Sequence, residues 1–173
     1  MKNLCVIFLL LTLVSCATVN VNYDYERKAD FDSYKTYDYY SDMNSGLSQL
    51  DQKRLLDVMD AEMSARGYTI SQTPDFLIDI KTSEFRENQN SNVGLGVGGT
   101  GRNVGGGVSV GIPVGNNRLS REIVFEFVDE NKMGLFWQAV STSSFNPNAK
   151  PEKREAQFRQ IVAKVLEGYP PSE

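Results

Sequence analysis

The chain has 173 residues, with 18 basic against 22 acidic side chains, a formal charge of −4, two cysteines and no histidine. A net acidic chain is a poor partner for nucleic acid, whose phosphates are bound by neutralising them with Lys and Arg. The missing imidazole removes the commonest general base, the commonest nitrogen metal ligand and the third member of most nucleophilic triads.

The N-terminus carries Lys2, then an apolar run from Leu4 to Val14 broken only by Thr12, and closes on Leu13-Val14-Ser15-Cys16. Roughly 7–15 apolar residues suit an exported and discarded leader, whereas a spanning helix needs about 20. Short or β-branched side chains ahead of a cysteine suit a lipoprotein signal peptidase, and the thiolate is the nucleophile that takes a diacylglycerol. Residues 1–15 therefore read as a lipoprotein signal peptide cut after Leu13, Val14 and Ser15. Cys16 becomes the lipidated N-terminus, carrying a diacylglycerol and a fatty acid such as palmitate. The alternatives are a leader cut elsewhere, with Cys16 unmodified, or a short uncleaved anchor. Cleavage leaves 158 of the 173 residues, which fits one domain. Cys5 leaves with the leader and Cys16 is spent on lipid, so the mature chain has no internal disulfide and no N/S zinc site. No Asp-x-Asp-x-Asp-Gly calcium loop is present either. Residues 16–22 read as the lipidated end and a short linker, with Val19 and Val21 able to open the first strand, and residues 23–173 as a single domain.

Six of the eight tyrosines, at 23, 25, 34, 37, 39 and 40, crowd the next stretch with Phe31. Tyr34, Thr36, Asp38 and Tyr40 alternate with Lys35, Tyr37 and Tyr39, which predicts a strand. The tyrosines are expected to cover a half-buried sheet edge, with an aromatic platform for sugars or peptides as the alternative. Ser48-Gln49-Leu50-Asp51 has capping-box form, so a helix starts there, with Ser48 accepting a backbone N–H and Asp51 reaching back. Leu55, Leu56, Met59 and Met63 recur at helical spacing and Gly67 closes the helix; the stripe is read as core rather than a methionine-lined pocket. Pro74-Asp75 precedes a strand in which Phe76, Ile78 and Ile80 alternate with Leu77, Asp79 and Lys81. Leu119–Val128, with Ile123, Phe125 and Phe127 on one face, turns through Asp129-Glu130-Asn131-Lys132 into Leu135–Val140 as a hairpin. Phe158, Ile161, Val162, Val165, Leu166 and Tyr169 form a last helical stripe, stopped by Gly168, Pro170 and Pro171.

Ten of the fourteen glycines fall between Gly94 and Gly115. Val93, Leu95 and Val97, and Val108, Val110, Ile112 and Val114, alternate on either side of Thr100-Gly101-Arg102-Asn103, which reads as a hairpin over 93–115 with one bare face. A surface hairpin extending the sheet and a partner-docking device are both open. Gly94-Leu95-Gly96-Val97-Gly98-Gly99 matches a dinucleotide fingerprint without the helix that must follow it. Gly107-Val108-Ser109-Val110-Gly111 matches a nucleophile elbow in a chain with no histidine to take the proton. Neither is read as functional.

Tyr23-Asp24, Asp30-Phe31-Asp32-Ser33-Tyr34-Lys35-Thr36-Tyr37, Arg66-Gly67-Tyr68, Pro74-Asp75-Phe76-Leu77-Ile78, Ile123 to Asp129, Leu135-Phe136-Trp137 and Val165-Leu166-Glu167-Gly168-Tyr169-Pro170 occur in an order that resembles bacterial lipoproteins carrying the domain of unknown function 4136. The chain departs from that pattern at Gln138-Ala139, where a glycine is expected after Trp137, and at Tyr169, where phenylalanine is usual. The resemblance implies an α+β lipoprotein domain and carries over no catalytic residue.

The sequence thus predicts an α+β domain: a mostly antiparallel sheet of five to seven strands, two helices packed on one face, and a Gly-rich β-hairpin. The expected role is non-enzymatic binding or scaffolding by a lipid-anchored cell-envelope protein that docks a protein partner. Ala17, not aspartate, follows the cysteine, which points to the outer membrane by the enterobacterial sorting habit. No catalytic, cofactor-binding or metal-ligating residue is nominated. Two rival classes are a carboxylate-dependent envelope hydrolase, which requires two converging carboxylates about 5–10 Å apart with one desolvated, and a small-ligand or glycan binding module, which requires a concave site lined by Tyr25, Tyr34 or Tyr37.

Overall fold

The structure, a computed structural model, describes residues 19–87 and 118–171. They form strands β1 (Val19–Tyr25), β2 (Thr36–Tyr39), β3 (Thr69–Ile70), β4 (Phe76–Glu87), β5 (Arg118–Asp129) and β6 (Gly134–Ser144), helices α1 (Gln49–Ala65) and α2 (Pro151–Leu166), and a 3-10 turn at Phe31–Ser33. The strands make one sheet in the order β1-β6-β5-β4-β2-β3. The α+β class holds, but the sheet is mixed rather than mostly antiparallel. β1, β6, β5 and β4 pair antiparallel, whereas β2 runs parallel to both β3 and β4. The reason is the crossover: α1 lies between β2 and β4, and a strand reached through a helix returns in the same direction. The Gly-rich hairpin expected over 93–115 lies outside the described residues.

Local chemistry sets the helix limits. Ser48 caps α1, its hydroxyl accepting the Asp51 N–H at 3.3 Å, and Gly67 takes φ +91° just after the helix, a conformation that costs glycine little. The Asp51 carboxylate does not serve the cap; it bridges Arg54 and Arg154 instead. Pro151 opens α2, where its missing N–H forfeits no helical bond.

Alternation fixes the buried face. Phe76, Ile78 and Ile80 on β4, Ile123, Phe125 and Phe127 on β5, and Trp137 and Ala139 on β6 are all buried, and the buried stripes of α1 and α2 join them in one core. The register shifts where Phe127 faces Trp137 but Val128 faces Leu135, so Phe136 is the extra residue of a bulge. Phe136 and Trp137 consequently both turn inward. On the opposite face Lys81 bridges Asp79 and Glu126 at 2.9 Å each, and Gln138 donates to Glu126.

Both helices run the same way. Their N-termini meet through Asp51 and Arg154, and near their C-termini the Arg66 guanidinium donates to the Leu166 and Tyr169 carbonyls. The register Val19↔Ser143, Arg121↔Ser143 and Glu84↔Arg121 places the start of β1, the start of β5 and the last residues of β4 at that same end of the sheet.

Candidate functional site

Cys16, the preceding Leu13, Val14 and Ser15, and both glycine patterns lie outside the described residues. What is placed is the first residue of β1, Val19, three positions after Cys16. The end of the sheet where Val19 sits, called here the entry end, is therefore one candidate surface, and the opposite end is the other.

At the entry end, Asp51 is 2% exposed and holds Arg54 at 2.8 Å and Arg154 at 2.5 Å, while Arg154 also donates to the Ala149 and Pro147 carbonyls. This ties α1 to α2. Arg121, at the start of β5, is buried at the same end, paired to Glu84 at 2.7 Å, with its guanidinium carbon 3.5 Å from the centre of the Phe145 ring. Its Nε is buried without a partner. Leu50, in the first turn of α1, is 66% exposed and Phe85, near the end of β4, is 40% exposed.

The opposite end holds the tyrosines, and most of them are structural. Tyr34 is buried, stacks on Phe136 at 4.3 Å and donates to Asp129 at 3.0 Å. Burial and that hydrogen bond push its phenol up to about 12. Tyr37 and Tyr39 both donate to Asp60 on α1, and burial, reinforced by this bond, raises both phenols. Asp75 pins the start of β2: burial would raise its carboxyl, but the Lys35 and Thr36 amides and the Thr36 hydroxyl outweigh this and hold it below the ordinary aspartate value. Tyr25 differs. It is 42% exposed and lines an open cleft of about 460 Å³ with Arg27, Asp30, Phe31, Asp32 and Pro170.

Carboxylate placement bears on the hydrolase reading. The two buried carboxylates among the described residues are Asp51, held by two arginines, and Asp129, which accepts from Tyr34 and from the Asn131 and Lys132 amides. The groove between the helices brings Asp57, Glu62 and Glu155 near Arg54 and Arg159, with Glu155 paired to Arg159 and Asp57 to Lys53. Among the described residues no three acidic or thiol side chains gather as a metal site, and no helix is long and apolar enough to cross a membrane.

Sequence reasoning missed the Asp51–Arg154 link because its partners are 103 positions apart. It also missed the Trp137 indole N–H donating to the Gly168 carbonyl at 3.0 Å. The one available signal was the pairing of a lone Trp with a Gly-Tyr-Pro ending, and that names no geometry.

No curated protein matches the chain. Among solved structures the fold is similar to that of a PDZ domain protein from Parabacteroides distasonis, 14% identical with a TM-score of 0.56, over 99% of this chain and 41% of that one. This chain thus spans about two fifths of that protein. It is also similar to the PelC dodecamer from Paraburkholderia phytofirmans, 12% identical with a TM-score of 0.52, over 90% of this chain and 100% of that one. At such identities the likeness is one of fold. The family model for the domain of unknown function DUF4136 matches residues 21–171, the whole of the sheet and both helices but for the first residues of β1, and the chain belongs to that family.

Proposed function

We propose that this chain is a lipid-anchored cell-envelope protein of non-enzymatic binding or scaffolding type, held by acylated Cys16 at the outer membrane and docking a protein partner there. The observation that carries the reading is the Leu13-Val14-Ser15-Cys16 sequence placed three residues ahead of an ordered sheet. With three acyl chains at about 0.8 kcal/mol per buried CH₂, such an anchor is effectively permanent. The commitment of Asp51 and Asp129 to structural partners favours binding over carboxylate hydrolysis. The fold neighbour PelC is a dodecamer, so a second copy of this chain is one partner to look for.

The test is radiolabelled palmitate incorporation and membrane fractionation of wild-type and Cys16→Ser cells, followed by crosslinking and affinity capture from native membranes. Label lost with the thiol supports the anchor; label retained in Cys16→Ser refutes it. A specific partner that disappears when residues 93–115 are replaced by a short turn supports docking through that segment, and an unchanged partner list removes it.

A small-ligand or glycan module is the second reading, favoured by the cleft beside Tyr25. Glycan-array binding abolished by Tyr25→Ala supports it, and binding unchanged by that substitution counts against it.

A further inference from the structure

We propose that the entry end of the sheet is the face that lies against the lipid bilayer, with Leu50, Phe85, Lys150 and Lys153 at the headgroups and the Asp129–Gly134 turn directed away. This rests on the acylation of Cys16 proposed above. Two residues, Ala17 and Thr18, separate Cys16 from Val19, so even a fully extended leash of three steps reaches only about 10 Å. A domain on a leash that short presents one end to the membrane, and the register of β1 against β6 says which.

That end has the chemistry of a lipid-surface contact. Leu50 is the most exposed large apolar side chain among the described residues, and Phe85 is 40% exposed. An apolar side chain that far into solvent gains by entering the headgroup boundary, while neighbouring cations meet phosphates. Arg86, Lys150 and Lys153 are exposed here. Of the acids nearby, Asp51 and Glu84 are already held by arginines and Glu152 is exposed. The opposite end exposes Asp24, Glu26, Asp30, Asp32 and Glu130 against Arg27, Lys28, Lys35, Arg66 and Lys132, a balanced set. Met133 and Leu135 are exposed there too, so what distinguishes the entry end is cations, unpaired among the described residues, standing beside Leu50 and Phe85.

The test uses the full-length, cell-processed protein extracted from membranes, with single cysteines at Asn148→Cys or Asn131→Cys carrying a bimane label. The protein is reconstituted into phosphatidylethanolamine and phosphatidylglycerol vesicles that contain doxyl lipid. Asn148 belongs to the loop after β6 at the entry end and Asn131 to the distal turn, both exposed. The eight strand positions from Arg121 to Asp129 put about 27 Å between the two ends. Quenching at position 148 is expected to exceed that at 131, which stands about 27 Å further from the bilayer. Equal quenching, or stronger quenching at 131, in protein whose N-terminal peptide has the acylated mass overturns this orientation and leaves the anchor standing. A peptide without the acyl mass overturns both.

Discussion

Gly168 offers a substitution whose sign separates two explanations. The sequence assigns it to helix termination, where glycine is used for positive φ. Yet Gly46, Gly67 and Gly134 are the positive-φ glycines, and Gly168 is not among them. A Cβ at Gly168 would instead meet the Tyr23 ring, lying against Cε1, 2.5 Å from Cδ1 and 2.8 Å from Cζ. The ring is held where it is: its hydroxyl donates to the Lys164 carbonyl at 2.6 Å, and it packs at 6.3 Å on Trp137. Gly168→Ala must displace it. The hydrogen bond is worth about 0.5–1 kcal/mol at an exposed site, and the aromatic pair about the same. Against a gain of about 0.4–1 kcal/mol from stiffening the unfolded chain, the net result is a loss of roughly 0.5–1 kcal/mol. In a Tyr23→Ala background the obstacle is gone, and Gly168→Ala should stabilise by about 0.4–1 kcal/mol. The assay is urea unfolding of the four proteins in a double-mutant cycle, followed by far-UV circular dichroism so that the reporter is not Trp137 itself. A coupling of about 1–2 kcal/mol is expected. Gly168→Ala that stabilises the wild type, or effects additive within about 0.3 kcal/mol, would refute close approach as the reason for the glycine.

Asp51→Ala leaves Arg54 and Arg154 without their shared carboxylate, and because each arginine side chain is 23% exposed water recovers part of the buried-pair cost of about 3–5 kcal/mol. A loss of about 2–3 kcal/mol, read as a Tm drop of about 5–10 °C, is expected, and the loss should shrink in an Arg154→Ala background. For Tyr34, with its phenol raised from 10.0 to about 12, both states are protonated below pH 10, so its contribution is complete there and is lost as pH rises from 10 towards 12. Tyr34→Phe should therefore lose stability less steeply than wild type over that window in denaturant titrations, and parallel pH profiles would count against the Asp129 bond. Asp75 has the opposite sign: its lowered carboxyl stabilises above the ordinary aspartate value and that contribution vanishes as pH falls below it. Asp75→Asn should flatten the acid limb of the stability profile, and an unchanged limb would dissociate Asp75 from the start of β2.

Periodic elements were readable and unpatterned ones were not. Ile123, Phe125 and Phe127 declare both a strand and its buried face, and Ser48 with Gly67 brackets α1 to within a residue, because caps are local chemistry. β3 is two exposed residues, Thr69 and Ile70, held by β2; no period exists in a pair. β4 continues to Glu87 through Ser83 and Glu84 because β5 pairs with it along its length, not because those side chains favour a strand. The parallel placement of β2 was hidden because alternation says which face a side chain takes and nothing of strand direction. Alternation gives Tyr37 and Tyr39 a common face, and they share one carboxylate, Asp60, on α1. The same rule puts Tyr34 on the other face. It is nevertheless buried in the same core as Tyr37, because it precedes β2 and arrives from the 3-10 turn.

The mixed sheet also accounts for the polarity of the domain. β2 and β6 both run towards the entry end, and each is followed by a helix that must start there and return along the sheet. α1 and α2 are therefore parallel, and their dipoles add instead of cancelling, with both positive ends at the entry end. An antiparallel helix pair would have cancelled them. The turns that join strands at the opposite end carry Asp30, Asp32, Asp129 and Glu130 together with Arg27, Lys28, Lys35 and Lys132, nearly balanced, so the charge axis comes from the aligned helices and from the cations of the entry end. Reversing the exposed charge at one end, with Lys150→Glu and Lys153→Glu, should leave folding intact, because neither side chain is engaged in an ion pair among the described residues. The same change should reduce quenching at position 148 in anionic vesicles and leave it unchanged in zwitterionic ones. Equal quenching of the reversed and wild-type proteins in anionic vesicles would show that the short leash alone orients the domain.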